Sequence, residues 1–227
     1  MLKQPLSRIL EIDALRGVAI ILMVIFHIIV DLTDFYGYHF QYLSGFWYYE
    51  GKAAAILFML LAGVSSSFSR SAVRHGLELL AWGMVLTAVT WLFAPAMYIR
   101  FGILHFLGTS LLTWPLLKKL QPRALLLVAA GAVAPGGYVA ALTGSTIWLL
   151  PFGVMPANFA SMDYYPLFPW YGVFVMGAAA GKTLYAQQTS LFPALTPPRW
   201  LVWLGRRSLA IYLLHQPLIL GMLYLVL

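Results

Sequence analysis

The sequence predicts an all-α protein: a polytopic membrane helix bundle of about seven transmembrane helices, with a cytoplasmic N-terminus, built as a single transmembrane domain over 1–227. Three observations carry this. Of the 227 residues, 62% are hydrophobic and only 9% charged, where a soluble domain carries about 25% charged residues. Apolar runs near the length of about twenty residues that crosses a hydrocarbon core recur along the chain. Lysine and arginine also fall on one side of the path those runs imply. Lys3, Arg8, Arg16, Arg70, Arg74, Lys118, Lys119, Arg123, Lys182, Arg199, Arg206 and Arg207 lie inside, leaving only Lys52 and Arg100 outside, and such asymmetry orients membrane proteins.

The spans read near 10–32, 52–70, 77–95, 102–117, 124–142, 166–184 and 207–226. The first is an apolar helix with Asp13 and Arg16 at its mouth and His27 and Asp31 in its other half. In the second, Ala62-Gly63 and Ser65-Ser66-Ser67, like Gly177 and Gly181 in the sixth, permit close helix approach. Plain packing accounts for them, and a homo-oligomer is among the partners they allow. Pro135-Gly136-Gly137 interrupts the fifth span, and Trp148-Leu149-Leu150-Pro151 after it reads as loop or as a re-entrant or interfacial piece. The proline-bearing 185–200 is a cytoplasmic connection, and Trp200 and Trp203 mark the interface before the last span. Tyr, Trp and Phe crowd 35–49 and 162–171 as an outer interfacial belt.

Several function classes fall away. The net charge of +7 sits at loop ends, with no polar domain to present a basic face to nucleic acid. Without cysteine there is no disulfide, no Cys-ligated zinc and no cysteine nucleophile. The apolar run after Arg16 has the length of a true span and no small-residue cleavage site, so it reads as a helix rather than a signal peptide. No internal repeat supports a transporter built from two related halves. No phosphate loop or serine elbow is present.

What remains are ionisable groups inside spans, which are costly there and mark functional sites. Asp13 and His27 are fourteen residues apart, close to four helical turns, and so share a face. His27 and Asp31 are four apart, a spacing at which a carboxylate can fix an imidazole's tautomer and support its cation. His27 lies about 16 Å along the axis from Arg16, slightly beyond mid-membrane. His105, in Phe101-Gly102-Ile103-Leu104-His105-Phe106-Leu107-Gly108, falls in the same leaflet. His215, in Gly205-Arg206-Arg207-Ser208-Leu209-Ala210-Ile211-Tyr212-Leu213-Leu214-His215-Gln216-Pro217, is about 12 Å deeper than Arg207. Three histidines on three helices, with none paired at four-residue spacing, do not make a metal-ligand pattern, and no metal is expected. His75 reads as solvated, and His39 in the first outer loop as a second candidate base. For acyl transfer, the histidines would supply the base, and Arg16, Arg206 and Arg207 an arginine cradle for a carrier's phosphates. The same His and Asp residues would equally serve a transporter or proton-coupled permease as a relay.

The order Arg-x-x-Glu-Ile-Asp-x-x-Arg-Gly-x-Ala-Ile-x-x-Met-x-x-Phe-His with its trailing Asp resembles the bacterial branch of the heparan-alpha-glucosaminide N-acetyltransferase catalytic family. So do Phe-Gly-Ile-Leu-His-Phe-Leu-Gly, Asp163-Tyr164-Tyr165-Pro166-Leu167-Phe168-Pro169-Trp170 and the terminal histidine motif. The likeness runs from Arg8 to about Pro217. The resemblance implies a multi-pass acyltransferase of a bacterial inner membrane that takes acetyl-CoA from the cytoplasm and acetylates a hydroxyl or amine on the far side. The acceptor would be a sugar, an envelope glycan or a small molecule. His27 becomes the catalytic candidate, with Asp31, His105 and His215 beside it. Arg16 becomes the carrier-side residue, with Asp13, Arg206 and Arg207. Within the family an active histidine also occurs in the loop after the first span, where His39 falls.

Overall fold

The computed structural model describes residues 9–227. Lys3 and Arg8, two of the inner cations and the first residue of the opening motif, lie outside them. The described chain is helical. It comprises α1 (Leu10–Tyr36), α2 (Gly45–Ser66), α3 (Ala72–Phe93), α4 (Ile103–Leu117), α5 (Pro122–Val133), α6 (Gly136–Ala141), α7 (Leu167–Leu184), α8 (Arg199–Arg206) and α9 (Ser208–Val226). Four stretches among the described residues are long and apolar enough to cross a membrane: α1, α3, the run Pro122–Ala141 and α9. α4 is apolar but shorter.

Each expected span meets a helix, with differences that have local causes. α2 begins at Gly45, whose φ of 66° lets the chain turn into the helix, so the aromatic residues 46–49 are helical rather than loop. The fifth span is two helices, because Pro135 has no amide hydrogen to continue the ladder and instead starts α6. Beyond it, Ile147–Phe152 forms a 3-10 helix flanked by two-residue parallel strands, β1 (Thr143–Gly144) and β2 (Met155–Pro156). The connection after α7 ends in α8, a separate amphipathic helix of about two turns that the two tryptophans belong to. Trp200 and Trp203 stay exposed while Val202 and Gly205 are buried.

The chain divides into two compact units: one holds the residues up to Leu61 together with Gln187–Leu227, and the other Ala62–Ala186. In the first, α8 lies against α1 at near-backbone contact. A Cβ on Gly17 would fall on the carbonyl oxygen of Leu201, and one on Gly205 on that of Asp13. Ile20, Met23 and Ala54 form a core with Phe58, Ile211 and Tyr212, joining α1, α2 and α9. Gly51 packs on the ring of Phe26. Glu11, buried, accepts the Leu191 amide at 2.8 Å and pins the connection to α1.

In the second unit the small residues do what their sequence suggested. A Cβ on Gly63 would meet the Phe174 carbonyl, and one on Gly181 the Val64 carbonyl, so α7 crosses the end of α2 at close range. Gly76 and Gly108 give the same intimacy between α3 and α4. Lys182 donates to the carbonyls of Lys118 and Leu120 at 2.8 and 2.6 Å, closing the C-terminal end of α4. Arg100, one of the two cations that break the charge asymmetry, is structurally employed. It donates to the Ala160 carbonyl at 3.1 Å and lies over the Tyr98 and Phe159 rings, 4.4 and 5.2 Å from their centroids.

Candidate active site

The charged mouth of α1 is a three-residue cluster. Asp13 is 4% exposed. Its Oδ1 accepts from Arg16 Nη1 at 3.2 Å, one helical turn on, and its Oδ2 from Arg206 Nε at 3.1 Å. The Gly205–Asp13 contact makes the second bond reachable, because only a residue without Cβ lets α8 come this near. Asp13 thus fixes two guanidinium groups side by side. Arg207, next along, is exposed, and among the described residues its side chain makes no hydrogen bond or ion pair. The sequence grouped Asp13 with the cation set as one carrier site; the geometry gives it the part of the carboxylate that holds the arginines.

The other end of the same unit holds a buried polar layer. His27 on α1 and His215 on α9 meet edge to face, with ring centroids 4.6 Å apart, and Phe26 packs edge-on against His27 at 5.8 Å. His215 Nδ1 lies 2.6 Å from the Tyr212 carbonyl. A carbonyl only accepts, so Nδ1 carries the proton and Nε2 presents a lone pair. That Nε2 is buried and has no hydrogen-bond partner among the described residues. His27 is partly exposed and forms no hydrogen bond among the described residues.

Asp31 departs from expectation. Its four-residue spacing predicts a bond to His27. In the structure Asp31, 1% exposed, instead takes a 2.7 Å hydrogen bond from Gln216 Nε2 onto its Oδ1. Gln216 neighbours His215 on α9, so the carboxylate clamps α9 to α1 and His27 is left to pair with His215. Gln216 was within the recognised motif but given no part. The signal was a lone amide in an apolar helix, which membrane helices keep for bonds to one another. Glu50 lies on α2, and both its carboxylate oxygens are buried without a hydrogen-bond partner among the described residues.

His105, expected beside His27, belongs to the second unit and has both ring nitrogens engaged. Nδ1 accepts the Gly102 amide at 3.3 Å at the start of α4, and Nε2 is 3.3 Å from Thr87 Oγ1. The Thr87 hydroxyl is already donated to the Ile99 carbonyl at 2.7 Å, so the Nε2–H donates to Thr87. Asp163 completes the cap, its Oδ2 taking the Ile103 amide at 2.8 Å. A Cβ on Gly83 would stand 3.1 Å from the imidazole. Tyr164, beside Asp163, donates to the Leu150 carbonyl at 2.8 Å, and burial pushes its phenol up to about 12.

Neither His39 nor His75 has such surroundings. His39 is exposed in the stretch between α1 and α2, and His75 is exposed on α3, 3.3 Å from Ser71 Oγ. Nearby, Tyr42 donates to Asp34 at 2.8 Å, and burial together with that carboxylate raises its phenol above the usual range. Among the described residues no group of three or more His, Asp or Glu is disposed to hold a metal ion.

The family model described as heparan-alpha-glucosaminide N-acetyltransferase, catalytic, matches residues 8–217. The chain belongs to this family. The match covers the arginine cluster, the histidine pair, the His105 cap and the Asp31–Gln216 bond. No curated protein and no solved structure matches the chain. Family membership and the long apolar helices together make it a membrane-embedded enzyme of an acetyltransferase family.

Proposed function

We propose that this enzyme moves an acetyl group from cytoplasmic acetyl-CoA to a hydroxyl or amine, carried by a sugar, on the outer side of a bacterial inner membrane. The chain crosses seven times from a cytoplasmic N-terminus, as a single functional domain. The observation that carries the reading is the His27–His215 contact between α1 and α9, with the Asp13–Arg16–Arg206 cluster joining the opposite end of α1 to α8. A carrier with phosphates suits one end, a proton acceptor the other.

In this reading Arg16, Arg206 and Arg207 receive the coenzyme's phosphate groups, with Asp13 keeping the first two in register. His27, the more accessible imidazole, takes the proton from the acceptor as its oxygen or nitrogen attacks the thioester carbonyl. The acetyl–sulfur bond breaks, the acceptor gains the acetyl group, and the proton passes to the departing thiolate to give free CoA. His215 backs His27: its Nδ1–H is committed to Tyr212, so its Nε2 lone pair is available to an N–H of His27. The engaged nitrogens of His105 suit a structural role in setting the start of α4.

The test is transfer in proteoliposomes loaded with radiolabelled acetyl-CoA and offered sugar acceptors outside. Wild type should label the acceptor. His27→Ala should bind coenzyme and transfer nothing, and Arg16→Ala should lose coenzyme binding. Wild-type protein that ignores acetyl-CoA but conducts protons would replace the enzyme reading with the permease one.

A further inference from the structure

The carboxyl groups buried toward the two ends of α1 keep very different company. Asp13 holds two guanidinium groups, one on each oxygen, at 3.2 and 3.1 Å. An ionised carboxylate needs such company when it leaves water, since only a cation or several donors repay its desolvation. Asp31 is the more buried of the two and lies inside the span. It has one neutral donor, Gln216 Nε2, 2.7 Å from its Oδ1. Among the described residues it forms no ion pair, and its Oδ2 is buried without a hydrogen-bond partner.

The titratable groups around it supply nothing more. On α1, His27 one turn before it forms no hydrogen bond among the described residues. Asp34, three residues after it, is itself an acid and takes the Tyr42 hydroxyl at 2.8 Å. On α9, the Nδ1–H of His215 is committed to the Tyr212 carbonyl. On α2, Glu50 is another acid, and Lys52 lies over the Tyr48 ring, 5.6 Å from its centroid.

The other half of the pair is short of a partner too. Gln216 Oε1 is buried and has no hydrogen bond among the described residues. One bond thus joins a carboxyl to a primary amide, and the remaining oxygen of each group stands without a donor. A single proton on Oδ2 supplies what both lack. It would donate to Oε1, and the two planar groups would share two hydrogen bonds in one ring. Turning the amide round does not escape the proton. Its oxygen would then face Oδ1 at 2.7 Å, a contact between acceptors that only a proton on the carboxyl could hold.

We propose that Asp31 is a neutral acid that closes a ring with Gln216: its Oδ2–H donates to Oε1, and the Gln216 Nε2–H to Oδ1. The ring fastens α9 to α1 beside the 4.6 Å contact of the imidazoles and sets His215 against His27. A spanning helix thereby avoids a bare charge. Asp31 is a positioning residue, without the charge that would support a histidine cation. Its purpose rests on the transfer reading; its protonation does not.

Infrared spectroscopy of the full chain in lipid nanodiscs at neutral pH reads the proton directly. A protonated carboxyl has a carbonyl stretch that an ionised carboxylate lacks. Wild type should show this band. It should shift when the aspartates carry carbon-13 at the side-chain carboxyl, which separates it from Glu50, and it should vanish in Asp31→Asn. Asp31→Ala and Gln216→Met break the ring and should lower transfer in the proteoliposome assay about 10–100-fold, as displacing a reacting group does. Asp31→Asn, whose amide makes the same two hydrogen bonds, should rescue melting and bring transfer back to within about threefold of wild type. Should Asp31→Asn fail to fold, the labelled band alone decides. Asp13 sits on two arginines, Asp34 is exposed and Asp163 takes the Ile103 amide. Three results overturn the proposal: no label-sensitive band, a band that survives in folded Asp31→Asn, or equal transfer losses in Asp31→Asn and Asp31→Ala. Full transfer in both Asp31→Ala and Gln216→Met removes the positioning role. The band in protein that transfers nothing would sink the enzyme reading and leave the ring, whereas transfer without the band would do the reverse.

Discussion

Asp13 and Arg206 are joined across 193 residues of chain by a 3.1 Å bond from Nε to Oδ2, and Arg16 holds the other oxygen of the same carboxylate. The arginines at this end are therefore unequal. Arg206 has structural work as well as a charge to offer, and Arg207 has only the charge. Arg206→Ala should lower stability by about 1–2 kcal/mol, less than a fully buried pair because its side chain is 40% exposed. Arg207→Ala should leave melting unchanged within about 0.5 kcal/mol and weaken only coenzyme binding. Thermal unfolding followed by size exclusion, set beside CoA titration, separates the two. Identical behaviour of the variants would remove the structural part assigned to Arg206.

The α1–α8 crossing should be the least tolerant place in the first unit. Gly205→Ala puts a methyl group on the Asp13 carbonyl, and Gly17→Ala one on that of Leu201. Backbone cannot give way as a side-chain tip can, so each should cost about 1–3 kcal/mol. Gly205→Ala should also loosen the Arg206–Asp13 bond. Gly131→Ala, with open space around it, is the control and should cost nothing and gain up to about 1 kcal/mol, because alanine is the better helix former. The melting temperatures of the three variants decide this.

Helices were legible from the sequence because lipid-length apolar runs are a coarse signal, and every expected span found one. Their ends were not, since Gly45 and Pro135 act through backbone geometry that hydropathy does not register. At the site, intramembrane charge alone singled out the charged mouth and the individual histidines, but not the contact between His27 and His215. The Asp31 partner could not. Four-residue spacing shows which side chains can meet within a helix, and here a residue on another helix, Gln216, makes the bond instead. The partners of His105 were hidden for a related reason. A histidine at the third position of a helix is well placed to take up an end amide, and its neighbour Gly102 needed one.

That cap gives a prediction outside the chemistry. His105→Ala leaves the Gly102 amide and the Thr87 hydroxyl each short of a partner, and should cost about 1–3 kcal/mol. Thr87→Val removes the same link from the other side, together with the bond to the Ile99 carbonyl. Because one link is shared, the double variant should cost less than the sum of the two single ones. Activity per folded molecule should stay at the wild-type level in all three. A kcat loss of two orders of magnitude or more in His105→Ala protein that melts normally would return His105 to the catalytic set.

Tyr164 offers a test by pH. Burial raises its phenol to about 12, above the ordinary value near 10, so the folded state prefers the neutral form. Its stabilising contribution is full below about pH 10 and is lost as pH rises through 12. Tyr164→Phe should remove the bond to the Leu150 carbonyl, costing about 1 kcal/mol at neutral pH, and should flatten the fall in stability at the alkaline end. Ultraviolet difference titration of wild type against the variant reads the phenol directly. Ionisation of Tyr164 near 10 would contradict the burial argument.

The histidine pair makes the sharpest demand. If His27 exchanges the proton and His215 only backs it, the two alanine variants should differ in kind. His27→Ala should lose about 10²–10⁴-fold in kcat. His215→Ala should lose less, and its KM for acetyl-CoA should stay put, because the arginine cluster lies at the far end of the helices. Gln216→Met, which frees α9 from Asp31, should raise KM for the acceptor and leave the coenzyme KM alone. Steady-state kinetics with each substrate varied in turn gives kcat and both KM values. A larger loss in His215→Ala than in His27→Ala would exchange their roles and make the buried Nε2 lone pair the base.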